Sequence, residues 1–539
     1  MTLTSKSDRE FLMATALPPT KEASKPLFVS LAVALLSGLS GCAVGPDFLS
    51  PEPPKVNGFV PEKITKIGNQ RLVAADEIPQ RWWQAFHDQN LNKLIEASIK
   101  HNPGLQAADA AIRVAYYQAE AQKGNFLPSI VFDSNDSQNY QAPVANAVSP
   151  NAPTNPYGLF LKQLTISYTP DIWGANRRAV ESLEAQTDQQ RYQLEAAYLT
   201  LTSNVATGAI TEAMTRGQIE ATREVIKQGQ QLLTILKGQY RLGAVAVADV
   251  LAEEALLAQE MQLLPPLEKA LAIQRDQLAA LAGEYSTVAV PETFHLRSLT
   301  LPRALPVTLP SQFVRQRPDV RAAEANLHSA SAQIGVAIAA RLPNVTLGAT
   351  PGVQGYSYAS LFTPGAQFYT LSAAISQPLF EGFSLANKQK STEEGLKQAD
   401  GLYRQSLVTA FQNIADALRS LQADAKAVNA AVYSEQTARR QLEIVRKQLG
   451  VGSVNVLILL NAQQTYLQAL VSLVGAEGAR MGDVVGLFMA LGGDWKNEAL
   501  KNLPPDMLYE PTKEQVETIN PPVNGSWFPS IPKLEYTPF

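Results

Sequence analysis

Residues 233–264 read LTILKGQYRLGAVAVADVLAEEALLAQEMQLL, and residues 442–473 read LEIVRKQLGVGSVNVLILLNAQQTYLQALVSL. The same framework returns 209 positions later: Leu233, Ile235, Gln239, Gly243, Val245, Val247, Leu251, Gln259 and Leu264 meet Leu442, Ile444, Gln448, Gly452, Val454, Val456, Leu460, Gln468 and Leu473. Self-similarity at a fixed offset marks a structural repeat. In each copy one glycine, Gly243 or Gly452, interrupts two apolar-periodic runs, where a tight helix reversal needs left-handed backbone. Each stretch is therefore the turn of an antiparallel helix pair.

Outward from these turns, proline sets the helix lengths. The chain has 35 prolines in 539 residues, yet none between Asp171 and Leu264 or between Leu379 and Leu503. Proline inside a helix costs about 3 kcal/mol, so these spans are read as uninterrupted helices. The outgoing helices run from about Gly174 to Arg241 and from about Phe383 to Leu449. At about 1.5 Å per residue each reaches roughly 100 Å. Returning helices are expected over Val247 to Gly283 and Val454 to Leu491. In the second copy Leu407, Phe411, Ile414, Leu418, Leu421, Ala425, Val428 and Val432 alternate spacings of four and three, the seam of a left-handed coiled coil.

Before each long helix the period changes to two. Ile130 and Phe132, then Phe160, Lys162, Leu164, Ile166 and Tyr168, alternate around a loop from Gln141 to Pro156. The second copy has a strand through Val345 and Leu347, a loop near Gly352 to Gly365, and a strand from Phe368 to Gln377. Two strand pairs are expected, about 128–170 and 343–378, ahead of helix pairs at about 174–283 and 383–492. Four strands cannot close a barrel, which needs about eight. If they span a bilayer, other copies of the chain must complete them. The candidate lipid-facing side chains are then Phe160, Leu164, Ile166 and Tyr168, with Tyr369, Leu371, Ala373 and Ile375.

The remaining segments divide the chain. A basic, polar leader with Lys6, Arg9, Lys21 and Lys25 precedes the apolar run Leu27 to Leu39, which ends in Leu39-Ser40-Gly41-Cys42. That run is too short for a membrane-spanning helix and has the layout of a secretory signal; Met13 offers an alternative start. The tetrapeptide resembles a bacterial lipobox, which assigns 1–41 as a lipoprotein signal peptide and Cys42 as the lipidated residue, carrying diacylglycerol and an N-acyl chain. Ala43, rather than an aspartate, favours the outer membrane. Residues 42–80, with Pro46, Pro51, Pro53, Pro54 and Pro61, read as a tether without regular structure. Trp82, Trp83 and Phe86 lead into a helix carrying Leu91, Leu94, Ile95 and Ile99, and a second helix spans Pro103 to Gly124. The first repeat covers 81–299 and the second 300–499. Thr300 to Pro310 is a proline-rich connector, Arg317-Pro318-Asp319-Val320 opens a helix, and 500–539 is a proline-rich tail.

Composition excludes other classes. A net charge of -4 with no basic stripe excludes a nucleic-acid partner. The single cysteine forbids an internal disulfide or a cysteine metal cluster. His87, His101, His295 and His328 are dispersed and no phosphate-cradling glycine loop occurs, so no catalytic residue, cofactor or metal ligand is assigned. Glu253 and Glu254 are adjacent, point apart on a helix, and are expected on a solvated face.

The repeated strand-loop-strand and long helix pairs, Val44-Gly45-Pro46-Asp47-Phe48 after Cys42, Arg317-Pro318-Asp319-Val320 and the two glycine turns resemble the TolC-like outer-membrane factors, in their lipoprotein (NodT-type) branch. The likeness spans nearly all of the mature chain. It implies an α+β membrane protein: a homotrimer with a twelve-stranded outer-membrane β-barrel, four strands per chain, continuous with a long periplasmic α-helical barrel. It also implies a passive exit duct of a tripartite efflux pump, lipid-anchored in the outer membrane, with a periplasmic adaptor and an RND-type inner-membrane transporter as partners. Adaptor docking falls on Gly243, Ala244, Val245, Gly452, Ser453 and Val454. Alignment to the family places Asp249, Ile458 and Asn461 at the periplasmic aperture. Leu449 and Val454 stand where well-known members carry the Tyr and Arg that engage the acid, and Ile458 and Asn461 replace the usual aspartate ring. The expected aperture is apolar and amide-lined, gated by packing or dewetting. Two alternatives share parts of the pattern: the channel of a type I protein-secretion system, and a non-conducting coiled-coil spacer lipoprotein, which leaves the strands unexplained.

Overall fold

The computed structural model describes residues 43–140, 156–307 and 316–492, apart from positions 57, 63, 65, 75–78, 80 and 289. Cys42, the loop at 141–155 and the tail at 500–539 lie outside the described residues. Two 67-residue helices dominate, α3 (Ala175–Arg241) and α7 (Ser384–Gly450). They begin and end within a residue or two of where the proline-free spans put them. The shorter helices are α1 (Gln89–His101), α2 (Pro103–Lys123), α4 (Val247–Gln262), α5 (Leu264–Leu281), α6 (Pro318–Ala339) and α8 (Val456–Leu491).

Local chemistry explains the boundaries. The Asp88 carboxylate accepts the Leu91 N–H at 2.9 Å and starts α1, and the Asn102 side chain accepts from Gly104 and Leu105 to start α2, with Pro103 at the first helical position. One expectation fails: the first returning helix is not continuous from Val247 to Gly283 but breaks at Leu263. Pro265 and Pro266 have no N–H to continue the ladder of α4, and they fit only in the opening turn of a new helix, α5. The seam of α7 is as expected over its middle: Ile414, Leu418, Leu421 and Ala425 are buried, while Val428 and Val432 are half-buried. By its most apolar window α8 is apolar and long enough to cross a bilayer, yet it packs against α7 and α3 instead.

Strands β3 (Ser129–Asn139), β4 (Tyr157–Tyr168), β6 (Asn344–Gly355) and β7 (Gln367–Ser376) form one antiparallel sheet in that order. The loop expected from Gly352 starts only at Tyr356, because β6 stays paired with β4 to Phe160↔Gly355. Gly352 is required there, since a Cβ would lie 2.7 Å from the Phe368 ring and 2.8 Å from the Lys162 carbonyl.

The largest correction concerns the tether. Residues 42–80 are not without regular structure: β1 (Lys66–Ile67) and β2 (Gln70–Ala74) pair, and β2 runs parallel to β5 (Ala304–Val307), in the stretch read as a connector. β1 meets β2 across the two-residue turn Gly68-Asn69, but all three strands are short and β5 lies about 230 residues from β2 in sequence, so no local period announces them. The Val44-Gly45-Pro46-Asp47-Phe48 motif is likewise docked. Val44 N–H donates to Trp173 O at 3.0 Å, Gly45 lies against Gly335 of α6 with no room for a Cβ, and Phe48 stacks on His328 at 4.3 Å. The buried Arg178 guanidinium donates to Val44 O and Gly45 O and pairs with Asp47 at 2.6 Å. Trp82, Trp83 and Phe86 are buried, with Trp82 stacked on Phe488 of α8 at 5.2 Å and Trp83 against Tyr198 of α3 at 6.5 Å.

Candidate functional site

Residues paired across the sheet share a face, so the register sorts the side chains. Ile130 and Phe132 pair with Ile166 and Leu164, Ile166 and Tyr168 with Ala349 and Leu347, and these in turn with Leu371 and Ala373. Phe160, Leu164, Ile166, Tyr168, Tyr369, Leu371, Ala373 and Ile375, the eight residues singled out from the sequence, all fall on this one apolar face. Tyr369, Leu371 and Ile375 are exposed, at 77%, 74% and 76%. The opposite face carries Ser129, Asp133, Asn135, Gln163, Thr165, Thr346, Thr350, Thr370 and Ser372, with Val131, Leu159, Leu161 and Phe368 as apolar exceptions. Thr165 donates to Asp133 there at 2.6 Å. Among the described residues the apolar face carries one ion pair: Lys162 Nζ meets Asp136 at 2.6 Å and lies 5.5 Å from the Tyr358 ring centroid. Among the described residues, β3 and β7 each keep one edge unpaired. An open sheet edge exposes its backbone donors and acceptors to another chain.

At the other ends of the long helices lie the two turns. Gly243 has φ +72° and Gly452 has φ +73°. The N–H groups of Gly243 and Ala244 bond to Tyr240 O and Gln239 O, and those of Gly452 and Ser453 to Leu449 O and Gln448 O, all at 2.9–3.0 Å. Nothing lies within 4 Å of a Cβ placed on either glycine; backbone conformation rather than crowding requires them. Gly243, Ala244, Gly452 and Ser453 are exposed, whereas Val245 and Val454 are half-buried. Val245 packs against the buried cluster of Leu236, Val250, Val456 and Leu460, and Val454 against that of Leu442, Val445, Leu459 and Ala462.

Asp249, the acid expected to need a partner, finds it in its own chain: its Oδ2 accepts the Ala246 N–H at 3.2 Å at the start of α4. Asn455 does the equivalent for α8, accepting the Ile458 N–H at 3.1 Å. Ile458 is 43% exposed and Asn461 is exposed. The expectation for Glu253 and Glu254 is overturned in part. Glu254 is on the surface and pairs with Lys237 at 2.6 Å, but Glu253 is only 1% exposed and faces α3. Among the described residues no cation lies beside it, so it has the sequence look of a surface residue and the placement of a core one.

Comparison with known proteins places this geometry. The model of the outer membrane efflux protein family matches residues 94–284 and again residues 309–493. The chain belongs to the outer membrane efflux protein family. As a member it is an outer-membrane channel for efflux, a family whose proteins are not enzymes. The pyoverdine export outer membrane protein OpmQ of Pseudomonas putida is 26% identical over 422 residues, which cover 78% of this chain and 89% of that protein. Nodulation protein T of Rhizobium leguminosarum bv. viciae is 26% identical over 84% of this chain and 91% of its own length. The crystal structure of the outer membrane protein VceC from Vibrio cholerae superposes with a TM-score of 0.72 at 25% identity, covering 78% of this chain and all of that one.

Two features of the fold were not legible from residue pattern alone. The Arg178 clip on the motif after Cys42 joins residues about 130 apart in sequence. The second is Arg317, noted only as a neighbour of Pro318. It is buried, binds Asp319 through two nitrogens at 2.8 and 2.6 Å, and donates to Ala490 O at the end of α8 at 2.8 Å. A basic residue just before a helix-opening proline was the available signal. Its target could not be read. Among the described residues no group of three or more His, Cys, Asp or Glu is placed to hold a metal ion.

Proposed function

We propose that this chain is the exit duct of a tripartite efflux pump, passively conducting substrates from the periplasmic pump to the exterior. One observation carries the reading: a four-stranded sheet with one apolar face, one polar face and two open edges leads directly into helices roughly 100 Å long. Such a sheet is unstable alone in a bilayer. Three copies joined edge to edge through β3 and β7 close a twelve-stranded barrel with the apolar face toward lipid and the polar face toward water. The 67-residue helices of the trimer then form a hollow periplasmic barrel. Its wall is built from two repeats, 81–299 and 300–499, with 42–80 as the anchored N-terminal segment after removal of 1–41 and 500–539 as the tail.

Cys42 carries the lipid. The clip on Val44 to Phe48 fixes the chain directly after it to the start of α3, close to the sheet, which suits an anchor in the same membrane. The exposed turns, Gly243-Ala244-Val245 and Gly452-Ser453-Val454, are the adaptor-docking tips, where small side chains admit close helix packing. Asp249, Ile458 and Asn461 line the periplasmic aperture. With Asp249 capping its own helix, the constriction is apolar and amide in character and closes by packing. The inner-membrane partner is of RND type.

The reading is tested by single-channel recording of the purified full chain in planar lipid bilayers. Stepwise conductance is expected. A protein that inserts but stays electrically silent is the outcome of the spacer reading and contradicts the duct. Deletion of the gene followed by a susceptibility screen across drugs and metals, with photocrosslinking at Ser453, identifies cargo and adaptor.

A further inference from the structure

The first helix hairpin carries two acids where its counterpart carries none. Along α4 the positions turned inward are Val250, Glu253, Leu257 and Glu260, spaced three, four and three as in a coiled-coil seam. Glu253 is 1% exposed and Glu260 4%. Both carboxyls converge on Gly229 of α3: a Cβ built there lies 3.2 Å from Glu253 Oε1 and 3.5 Å from Glu260 Oε2. Glu253 Oε2 is buried without a hydrogen-bond partner.

Among the described residues the surrounding elements supply no compensating charge. The buried face of α3 here is Thr222, Val225, Gly229 and Leu236. Its flanking cations, Arg223 and Lys237, turn outward to Glu268 and Glu254, each at 2.6 Å, and Glu224 and Lys227 are exposed. On α5, Glu268 and Lys269 are exposed. On α8, which also packs on α4, no charged residue occurs between Val456 and Ala476, and Tyr466 is hydrogen-bonded to Arg439 of α7. On α4 itself Asp249 is held by the Ala246 N–H. Burial pushes the Glu253 carboxyl up to about 7, with Glu260 beside it adding to the rise. Burial does the same to Glu260, also to about 7.

The second repeat is an internal control. At the 209-residue offset Gly229, Glu253 and Glu260 become Ala438, Ala462 and Ala469, all buried. There the returning helix α8 runs unbroken from Val456 to Leu491, whereas α4 ends at Gln262 and the ladder is interrupted at Leu263, which keeps helical dihedrals (φ -74°, ψ -24°) ahead of Pro265 and Pro266. Two uncompensated buried acids and a helix break therefore occur together, on one hairpin only.

We propose that Glu253, Gly229 and Glu260 form a proton-operated latch: α4 lies packed on α3 while both carboxyls hold protons, and it loosens about Leu263 when they are lost. The inference goes beyond the exit-duct reading and stands without it, since it concerns one hairpin rather than conduction. The sign follows from the raised affinity for protons. Packing is strongest below about pH 4.5, the ordinary glutamate value, weakens as pH climbs toward about 7, and levels off above.

The test is hydrogen exchange by mass spectrometry on the detergent-solubilised full chain at about pH 5.5 and about pH 8, corrected for intrinsic rates. Opening of α4 is expected to rise about tenfold or more between the two, while the Val456–Ala476 part of α8 changes less than about twofold. The isosteric pair Glu253→Gln and Glu260→Gln removes the pH response of α4, and each single variant reduces it. An α4 whose protection is the same at both pH values overturns the latch. So does a double variant that keeps the wild-type response. Failure of conductance with the response intact would count against the duct and leave the latch standing.

Discussion

Gly243 and Gly452 show how narrowly one residue can matter. Both have positive φ with open space around the missing Cβ, so alanine meets no clash and pays only the left-handed backbone penalty, about 1–2 kcal/mol. Gly243→Ala and Gly452→Ala are expected to loosen their turns by that amount in hydrogen exchange. Gly238→Ala, in the interior of α3 with equally open surroundings, is expected to stabilise by about 0.5–1 kcal/mol. Arg317 is the opposite case, a residue whose environment is crowded and specific. Its paired contacts to Asp319 and its bond to Ala490 O need a planar fork. Arg317→Lys should therefore cost about 1.5–3 kcal/mol, read as a lowered thermal midpoint.

At the scale of elements, α7 and α8 share a titratable seam. Burial first, and then the neighbouring Asp424 of α7, push the Asp483 carboxyl of α8 up to about 6. A raised carboxyl stabilises the packed pair fully only below about pH 3.8, and that contribution is lost as pH rises through about 6. Asp483→Asn is expected to raise the thermal midpoint at about pH 8 and leave it unchanged at about pH 4. Elements like α7 were legible in the sequence because a proline-free span and a 3.5-residue period are local signals. The strand faces were legible for the same reason: alternation put Leu164 and Leu371 on one side before any pairing was known. What escaped was non-local. β2 is a strand because β5 lies beside it, and Val44 to Phe48 are ordered because Arg178 reaches them. The break at Leu263 was legible from Pro265-Pro266, which have no counterpart in the second copy, where Val474 and Gly475 stand. Of the candidate site, the tip glycines could be placed by backbone need. Glu253 could not, because a charged residue at a seam position has the same sequence appearance as one on a solvated face.

For the whole molecule the open edges of β3 and β7 and the exposed apolar face have to be covered; in the proposed trimer identical neighbours pair the edges and lipid covers the face. In the proposed reading, lipidation is separable from closure. Cys42→Ser is expected to abolish palmitate labelling while leaving assembly in detergent intact, since the clip through Arg178 does not involve the thiol. The most direct test of the account is the mass of the full-length protein extracted in detergent, measured by native mass spectrometry with the lipid retained. The account predicts a species of three chains that needs detergent or lipid to stay dispersed. A monodisperse single chain that remains soluble in plain buffer would contradict it.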